Sequence, residues 1–274
     1  SLPFRRPGVE RRCRGLLAAS RDEILDCGEG VRLLAKRATQ QGRNRPAASR
    51  VAVLLHGWEG SSESLYILSL GQALWERGFE VVRLNLRDHG DSHHLNPEIF
   101  HSCRIREVVG AVQRLQQLEP AQAVNLVGFS LGGNFCLRVG ARAAEAGLRL
   151  EQVVAVCPVI DPEHTLVQLE RGWALYRQYF VWKWRRSLRR KQAAWPQLYD
   201  LSEALELEGH RVAIAYSGSE ALQIAQTFRP EVVLCDDVAL GGMPGRELAA
   251  GLRAAGRLPG LELVLLTDYA DAVS

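Results

Sequence analysis

Ser130 stands in a Gly-x-Ser-x-Gly pattern, between a short apolar run at 124–127 and a stretch that predicts a helix. Gly128 and Gly132 flank the serine, and such a strand-turn-helix places the serine on a sharp bend that tolerates no neighbouring side chains. A serine held in this way can act as a nucleophile, and a plain strand-to-helix turn is the alternative interpretation of these five residues. The N–H of Leu131, at the start of the helix, is then available to a developing oxyanion. The chemistry indicated is acyl transfer through Ser130.

A second glycine-bracketed loop, HGWEG at 56–60, follows another apolar run at 51–55. In the same catalytic arrangement, a loop after a neighbouring strand supplies the second oxyanion donor. We therefore expect the backbone N–H of Trp58 to be that donor.

The general base is the missing part of this constellation. Serine needs a positioned imidazole, yet after residue 164 the only histidine is His210, which precedes a predicted strand. The candidates at the correct end of the sheet are His89, His93 and His94, and His89 is the one we select.

The elements that must position these residues alternate between apolar runs and helical patterns. This alternation predicts a parallel sheet covered on both faces by helices. Such sheets bind ligands at the carboxyl ends of their strands, where His56, Asp88, Ser130 and Asp161 all fall. The predicted strands are 51–55, 80–86, 123–128 and 151–157, and the predicted helices are 64–77, 104–118 and 132–146.

Three segments, HGWEGSSES, NLRDHGDSHH and GFSLGGN, together resemble the α/β-hydrolase superfamily, and most closely its YheT-like branch of esterases. The resemblance covers roughly residues 20–199. It implies a three-layer α/β/α fold with a mostly parallel sheet, a serine nucleophile, a small-molecule ester or related acyl substrate, and no cofactor.

Asp161 follows the strand after the nucleophile strand, and it has two interpretations. Some α/β hydrolases carry the acid of the triad there. Asp161-Pro162 is also typical of a helix cap with proline at the first helical position.

Residues 164–195 are rich in aromatic and basic side chains. The pattern fits a nucleic-acid or membrane-surface element, but hydrolases of this class insert a helical cap at this point. We expect a cap and no nucleic-acid partner.

The composition of the chain limits the kinds of site and of cellular location that we expect. The net charge is only +3, and the six cysteines are dispersed without metal-ligand spacing, so we expect neither a disulfide framework nor a metal site. We expect a cytoplasmic protein without a transmembrane segment. Residues 1–20 predict an irregular arm, and 22–27 with 31–37 predict a β-hairpin.

Residues 202–274 resemble a different family, the receiver domain of response regulators. The resemblance is carried by SEALELEGHRVAIAYSGSEAL, FRPEVVLCDD, LGGMPGRELAAGLRA and LELVLLTDYA. It implies a flavodoxin-like fragment in which Asp237 accepts a phosphoryl group, Asp236 is its neighbour and Thr267 is the switch residue. We expect Mg²⁺ as a cofactor and a histidine kinase as a partner only if this segment is functional. Two solvated carboxylates are the alternative interpretation of Asp236 and Asp237.

The sequence thus predicts two parts, a hydrolase-like core at 1–199 and a partial receiver-like segment at 200–274. Strands predicted at 212–216, 232–236 and 262–266 either extend the core sheet or form a sheet of their own. The sequence is consistent with a natural fusion, an engineered chimera or a frameshifted product, and a chain of any of these origins without activity is the alternative to the hydrolase.

Overall fold

The computed structural model describes residues 7–41, 50–119, 123–171, 174–200, 218–229, 232–236, 245–254 and 262–266. The chain divides into two compact units, Ser1–Glu206 and Leu207–Ser274. Whether the two parts have separate roles, as the sequence predicts, stays a prediction.

The first unit contains six described strands and seven described helices. The strands are β1 (Ser20–Asp26), β2 (Arg32–Ala38), β3 (Arg50–Leu55), β4 (Glu80–Leu84), β5 (Ala123–Phe129) and β6 (Leu150–Val156). The helices are α1 (Pro7–Arg12), α2 (Arg14–Ala19), α3 (Leu65–Glu76), α4 (Ile105–Leu118), α5 (Leu131–Ala141), α6 (Pro162–Arg171) and α7 (Ala174–Ala194).

The six strands form one mixed sheet in the order β1-β2-β4-β3-β5-β6. β3 pairs in parallel with both β4 and β5, and β5 pairs in parallel with β6. The hairpin partner β2 is antiparallel to both β1 and β4. The predicted parallel core is therefore confirmed for β3 to β6, with an antiparallel strand inserted beside it.

Helices cover both faces of this sheet because the central strands are apolar on both sides. In β3, Val51, Val53 and Leu55 pack with α4 and α5, whereas Ala52 and Leu54 pack with α2 and α3. All five side chains are buried. This two-sided burial fixes the strand whose end carries the 56–60 loop.

The predicted irregular arm at residues 1–20 is wrong for its described part. Residues 7–19 form α1 and α2, and Val9, Cys13 and Leu16 are buried against α3. These three side chains lie on the side of the two short helices that packs against α3. A smaller correction concerns α5, which ends at Ala141 instead of continuing to residue 146.

The second unit has α8 (Gly218–Phe228), β7 (Val232–Asp236), α9 (Gly245–Ala254) and β8 (Glu262–Leu266) among its described residues. β7 and β8 form a parallel two-stranded sheet. Ala225 of α8 packs with Leu248 and Leu252 of α9. The strand predicted at 212–216 lies outside the described residues.

Candidate active site

The candidate site lies at the carboxyl end of the parallel strands. β3 ends at Leu55, β4 at Leu84 and β5 at Phe129. Because these three strands are adjacent and parallel, the segments that follow them emerge at the same edge of the sheet. Those segments contain His56, Trp58, Asp88, His89 and Ser130.

Ser130 occupies a strained backbone conformation between β5 and α5, with φ 53° and ψ −117°. Residues other than glycine rarely adopt a positive φ, so the surrounding contacts must hold the Ser130 backbone in this conformation. The Ser130 N–H donates to the Val156 carbonyl at 2.9 Å, and the Ser130 carbonyl accepts the N–H of Asn134 at 3.1 Å. The side chain is half-buried. In the part of the chain that the structure describes, its Oγ has no hydrogen-bond partner.

The two glycines of the motif are required by close backbone contacts. A Cβ atom on Gly128 would lie 2.2 Å from the carbonyl oxygen of Gly132. A Cβ atom on Gly132 would lie 2.4 Å from the carbonyl oxygen of His56. Neither neighbour can move away, because both are backbone atoms. The glycines thus let the turn of Ser130 pack directly against the end of β3.

The 56–60 loop packs against the candidate nucleophile. A Cβ atom on Gly57 would lie 3.2 Å from Cβ and 3.7 Å from Oγ of Ser130. Gly57 is the residue before Trp58, the predicted oxyanion donor. The structure therefore brings the Trp58 loop and Ser130 together.

The backbone N–H groups of this loop are almost all in use. Gly57 donates to the Tyr66 hydroxyl at 3.0 Å, Gly60 donates to the Gly57 carbonyl at 2.9 Å, and Glu59 donates to a buried histidine. Across the described ranges, the N–H of Trp58 has no acceptor. Leu131, as the first residue of α5, likewise has no partner within its helix. These are the two N–H groups that the sequence predicts for the oxyanion hole.

His89 is buried and holds two loops together. Its Nδ1 donates to the Arg87 carbonyl at 2.6 Å, and its Nε2 accepts the N–H of Glu59 at 3.3 Å. Burial lowers the pKa of His89 to about 4, so the ring is neutral near pH 7. Both ring nitrogens are thus hydrogen-bonded to the backbone. The role of His89 as general base stays a prediction.

His56 has a similar arrangement one strand away. Its Nδ1 contacts the Gly57 carbonyl at 2.8 Å, and its Nε2 accepts the Leu86 N–H at 3.1 Å. Burial lowers its pKa well below the usual value. His56 and His89 lie with their ring centroids 4.8 Å apart. Together they join the loops after β3 and β4.

The other candidate bases lie elsewhere on the loop after β4. The His93 Nε2 lies 2.9 Å from the Ser187 Oγ on α7, and the Ser187 hydroxyl donates to the Asp88 carbonyl at 3.1 Å. Burial lowers the pKa of His93 to about 3. His94 is exposed.

Asp161 caps α6. Its Oδ1 accepts the His164 N–H at 2.9 Å, and its carbonyl accepts the Thr165 N–H at 3.1 Å. The carboxylate is exposed. These contacts fit the capping interpretation, and the role of triad acid stays a prediction.

A row of polar side chains on α7 faces these loops and was not predicted from the sequence. Lys183 donates to the carbonyl of Glu59, and Lys191 is 1% exposed with its ammonium 2.8 Å from Asp88 Oδ1. A signal was present: the chain has lysine only at 36, 183 and 191 and uses arginine elsewhere. At Lys191 the three donors of a compact ammonium suit three converging acceptors better than a planar guanidinium would.

Glu59 is a second residue that sequence reasoning missed. Burial raises the pKa of the Glu59 carboxyl to about 7, and the nearby Lys183 ammonium partly offsets this by lowering it. Its φ of 53° marks it as another strained position in the loop.

The receiver-like site residues are largely outside the described part of the chain. Asp237 and Thr267 lie beyond the ends of β7 and β8, and Asp236 is the last residue of β7. Among the described residues, no cluster of His, Cys, Asp and Glu is arranged to hold a metal ion. No helix in the described ranges is both long and apolar enough to cross a membrane.

Residues 51–214 match the protein family described as the alpha/beta hydrolase fold. Over 145 residues the chain is 28% identical to YheT, a candidate esterase of Escherichia coli (strain K12). The aligned region covers 53% of this chain and 42% of YheT. Over 73 residues it is 36% identical to the transcriptional regulatory protein AfsQ1 of Streptomyces coelicolor. This second aligned region covers 27% of this chain and 32% of AfsQ1.

Each of these two relatives is thus matched over less than half of its own length. Among solved structures, an esterase of Pyrococcus furiosus aligns with a TM-score of 0.47 and 16% identity, over 91% of this chain and 81% of that one. The family match alone spans more than half of the sequence. The chain belongs to the alpha/beta hydrolase fold family.

Proposed function

We propose that the chain is a serine hydrolase that acts on carboxylic esters or related acyl substrates, with Ser130 as the nucleophile. The observation that carries the proposal is the strained backbone of Ser130, with φ 53° at the junction of β5 and α5. Strain of this kind persists where the surroundings impose it, and it is typical of functional positions. Family membership adds independent support.

In this reaction the Oγ of Ser130 attacks the carbonyl carbon of the substrate and loses its proton to a base. The N–H groups of Leu131 and Trp58 then stabilise the oxyanion. Collapse of the tetrahedral intermediate expels the alcohol, and water hydrolyses the acyl-enzyme. Two observations support this assignment: among the described residues the N–H of Trp58 has no acceptor, and Gly57 lies against Ser130.

The weak point of the site is its base. A histidine with a pKa of about 4 and both nitrogens hydrogen-bonded, as His89 has, is a poor proton acceptor near pH 7. Loss of a triad member costs about 10⁴-fold in rate. We therefore expect the chain to react slowly, through the oxyanion hole and the half-buried hydroxyl of Ser130.

The experiment is labelling with a fluorophosphonate probe, followed by intact-mass analysis. We expect one probe per chain after long incubation, and none on Ser130→Ala. Ser69→Ala, at an exposed serine of α3, is the matched control and should label like the parent. Labelling of Ser130→Ala at the parent rate, or no labelling of the folded parent, would refute the assignment.

A second candidate function is a phosphoryl-responsive module at Asp237. The match to a transcriptional regulator over 73 residues favours it. The chemistry needs Mg²⁺ and a cation beside the phosphoryl group, yet the sequence has no lysine after residue 191. A rise in melting temperature with beryllofluoride and Mg²⁺, lost in Asp237→Asn, would support it, and no rise would count against it.

A further inference from the structure

One face of α7 contacts the loops at the carboxyl end of the sheet through side chains spaced three or four residues apart. The spacing places them in a single row along the helix. Phe180 and Lys183 contact the 56–60 loop, and Ser187 and Lys191 contact the loop after β4. α7 therefore bridges the loops that follow β3 and β4.

The contacts at Trp58 and Glu59 hold the backbone from two sides. The Phe180 ring stacks on the Trp58 indole, with centroids 5.4 Å apart and planes 15° apart. The Lys183 ammonium donates to the Glu59 carbonyl, and His89 accepts the Glu59 N–H at 3.3 Å. The peptide groups on either side of Glu59 are thus held by His89, in the loop after β4, and by Lys183 on α7.

This arrangement bears directly on the candidate oxyanion donor. The N–H of Trp58 belongs to the peptide that joins it to Gly57, and Gly57 packs against Ser130. A donor acts on a transition state only if its position is held within a few tenths of an ångström. Contacts at the next residue and at the indole restrict rotation of that peptide.

We propose that α7 is a clamp that positions the Trp58 N–H for oxyanion stabilisation, with Lys183 and Phe180 as positioning residues. The inference rests on the proposed function for its catalytic meaning. The clamp itself is a property of the fold, and it is measurable without activity.

The test compares Lys183→Met, Lys183→Arg and the control Arg186→Met. Arg186 is exposed on the same helix, three residues further on. The first measurement is the second-order rate constant for fluorophosphonate labelling, and the second is backbone hydrogen exchange at Glu59 and Gly60. We expect Lys183→Met to label about ten-fold more slowly and to exchange about ten-fold faster at both amides. Lys183→Arg should restore most of both properties, and Arg186→Met should match the parent.

Three outcomes decide whether Lys183 positions the Trp58 N–H and whether α7 acts as a clamp. Unchanged labelling and unchanged exchange in Lys183→Met would overturn the proposal. Faster exchange with unchanged labelling would overturn the positioning role and leave only a structural contact. If the parent does not label at all, the proposed function fails, and exchange then decides the clamp alone: acceleration in Lys183→Met supports it, and no change overturns it. For any ester that turns over, a fall in kcat with KM within two-fold would further support positioning.

Discussion

The ammonium of Lys191 on α7 donates a 2.8 Å hydrogen bond to Oδ1 of Asp88, which lies 103 residues earlier in the chain. The same ammonium donates to the carbonyls of Asn96 and Glu98, each at 2.7 Å. All three of its protons are therefore used. A buried ion pair whose remaining donors are satisfied is costly to break, because removal of one partner strands the other.

Lys191→Met should lower the free energy of unfolding by about 3–5 kcal/mol, since it leaves a buried carboxylate and two carbonyls without their donor. Urea unfolding at pH 7 measures the change. Asp88 has φ 56°, a conformation that asparagine tolerates, so Asp88→Asn removes the charge without new backbone strain.

The double variant Asp88→Asn/Lys191→Met should regain about 2 kcal/mol relative to Lys191→Met, because no buried charge remains. Recovery is partial, since the carbonyls of Asn96 and Glu98 still lack a donor. Equal stability of the single and double variants would contradict a role for the ion pair.

The motif glycines give a second prediction. Gly128→Ala places a methyl group 2.2 Å from a backbone oxygen, so we expect a loss of stability of about 3 kcal/mol or more and no probe labelling. Gly8→Ala, at a helical glycine with nothing within 4 Å of the added atom, is the control and should be neutral or slightly stabilising. A folded, labelled Gly128→Ala would show that the turn is looser than its contacts indicate.

The core of the fold was predictable because its strands are continuous apolar runs. The sequence placed the strand before the HGWEG loop at 51–55, and it is observed at Arg50–Leu55. The error at residues 1–20 arose because arginines and prolines dominate that segment and mask a short helical pattern. Val9, Cys13 and Leu16 carried the pattern, but each helix is only six residues long.

The turn at Ser130 and the Trp58 loop were predictable because local steric requirements determine them. The contacts of α7 were not, because they join residues about 100 positions apart and depend on how a helix docks. Lys183 and Lys191 were the usable signal, as two of the three lysines in an arginine-rich chain. Asp161 shows the limit of spacing arguments, since an acid at a strand end and a helix cap look alike in sequence.

The backbone strain at Ser130 gives a third prediction, one that needs no activity. Ser130→Ala and Ser130→Gly both remove the nucleophile, but only glycine adopts φ 53° and ψ −117° without strain. Relief of about 1–3 kcal/mol exceeds the extra flexibility of glycine in the unfolded chain, about 0.5–1 kcal/mol. Ser130→Gly should therefore be more stable than Ser130→Ala by about 1 kcal/mol in thermal or urea unfolding. Equal or lower stability would mean that the turn stores no strain.

A fourth prediction concerns acid. Burial lowers the pKa of His89 to about 4 from an ordinary value of 6.5. Below pH 6.5 the unfolded chain takes up a proton that the folded protein does not accept until about pH 4. The free energy of unfolding should therefore fall as the pH falls through this window, by up to about 3 kcal/mol for this residue.

His89→Gln isolates this contribution, because an amide oxygen can still accept the Glu59 N–H and does not titrate. His56 and His93, whose pKa values are also lowered by burial, keep the same sign of dependence in both proteins. Glu59, whose pKa is raised to about 7 from 4.5, acts in the opposite direction, since its contribution is lost as the pH rises through that range. Urea unfolding from pH 7 to pH 4.5 should show a shallower acid loss in His89→Gln than in the parent. Parallel curves would mean that His89 titrates normally and is not held neutral between the two loops.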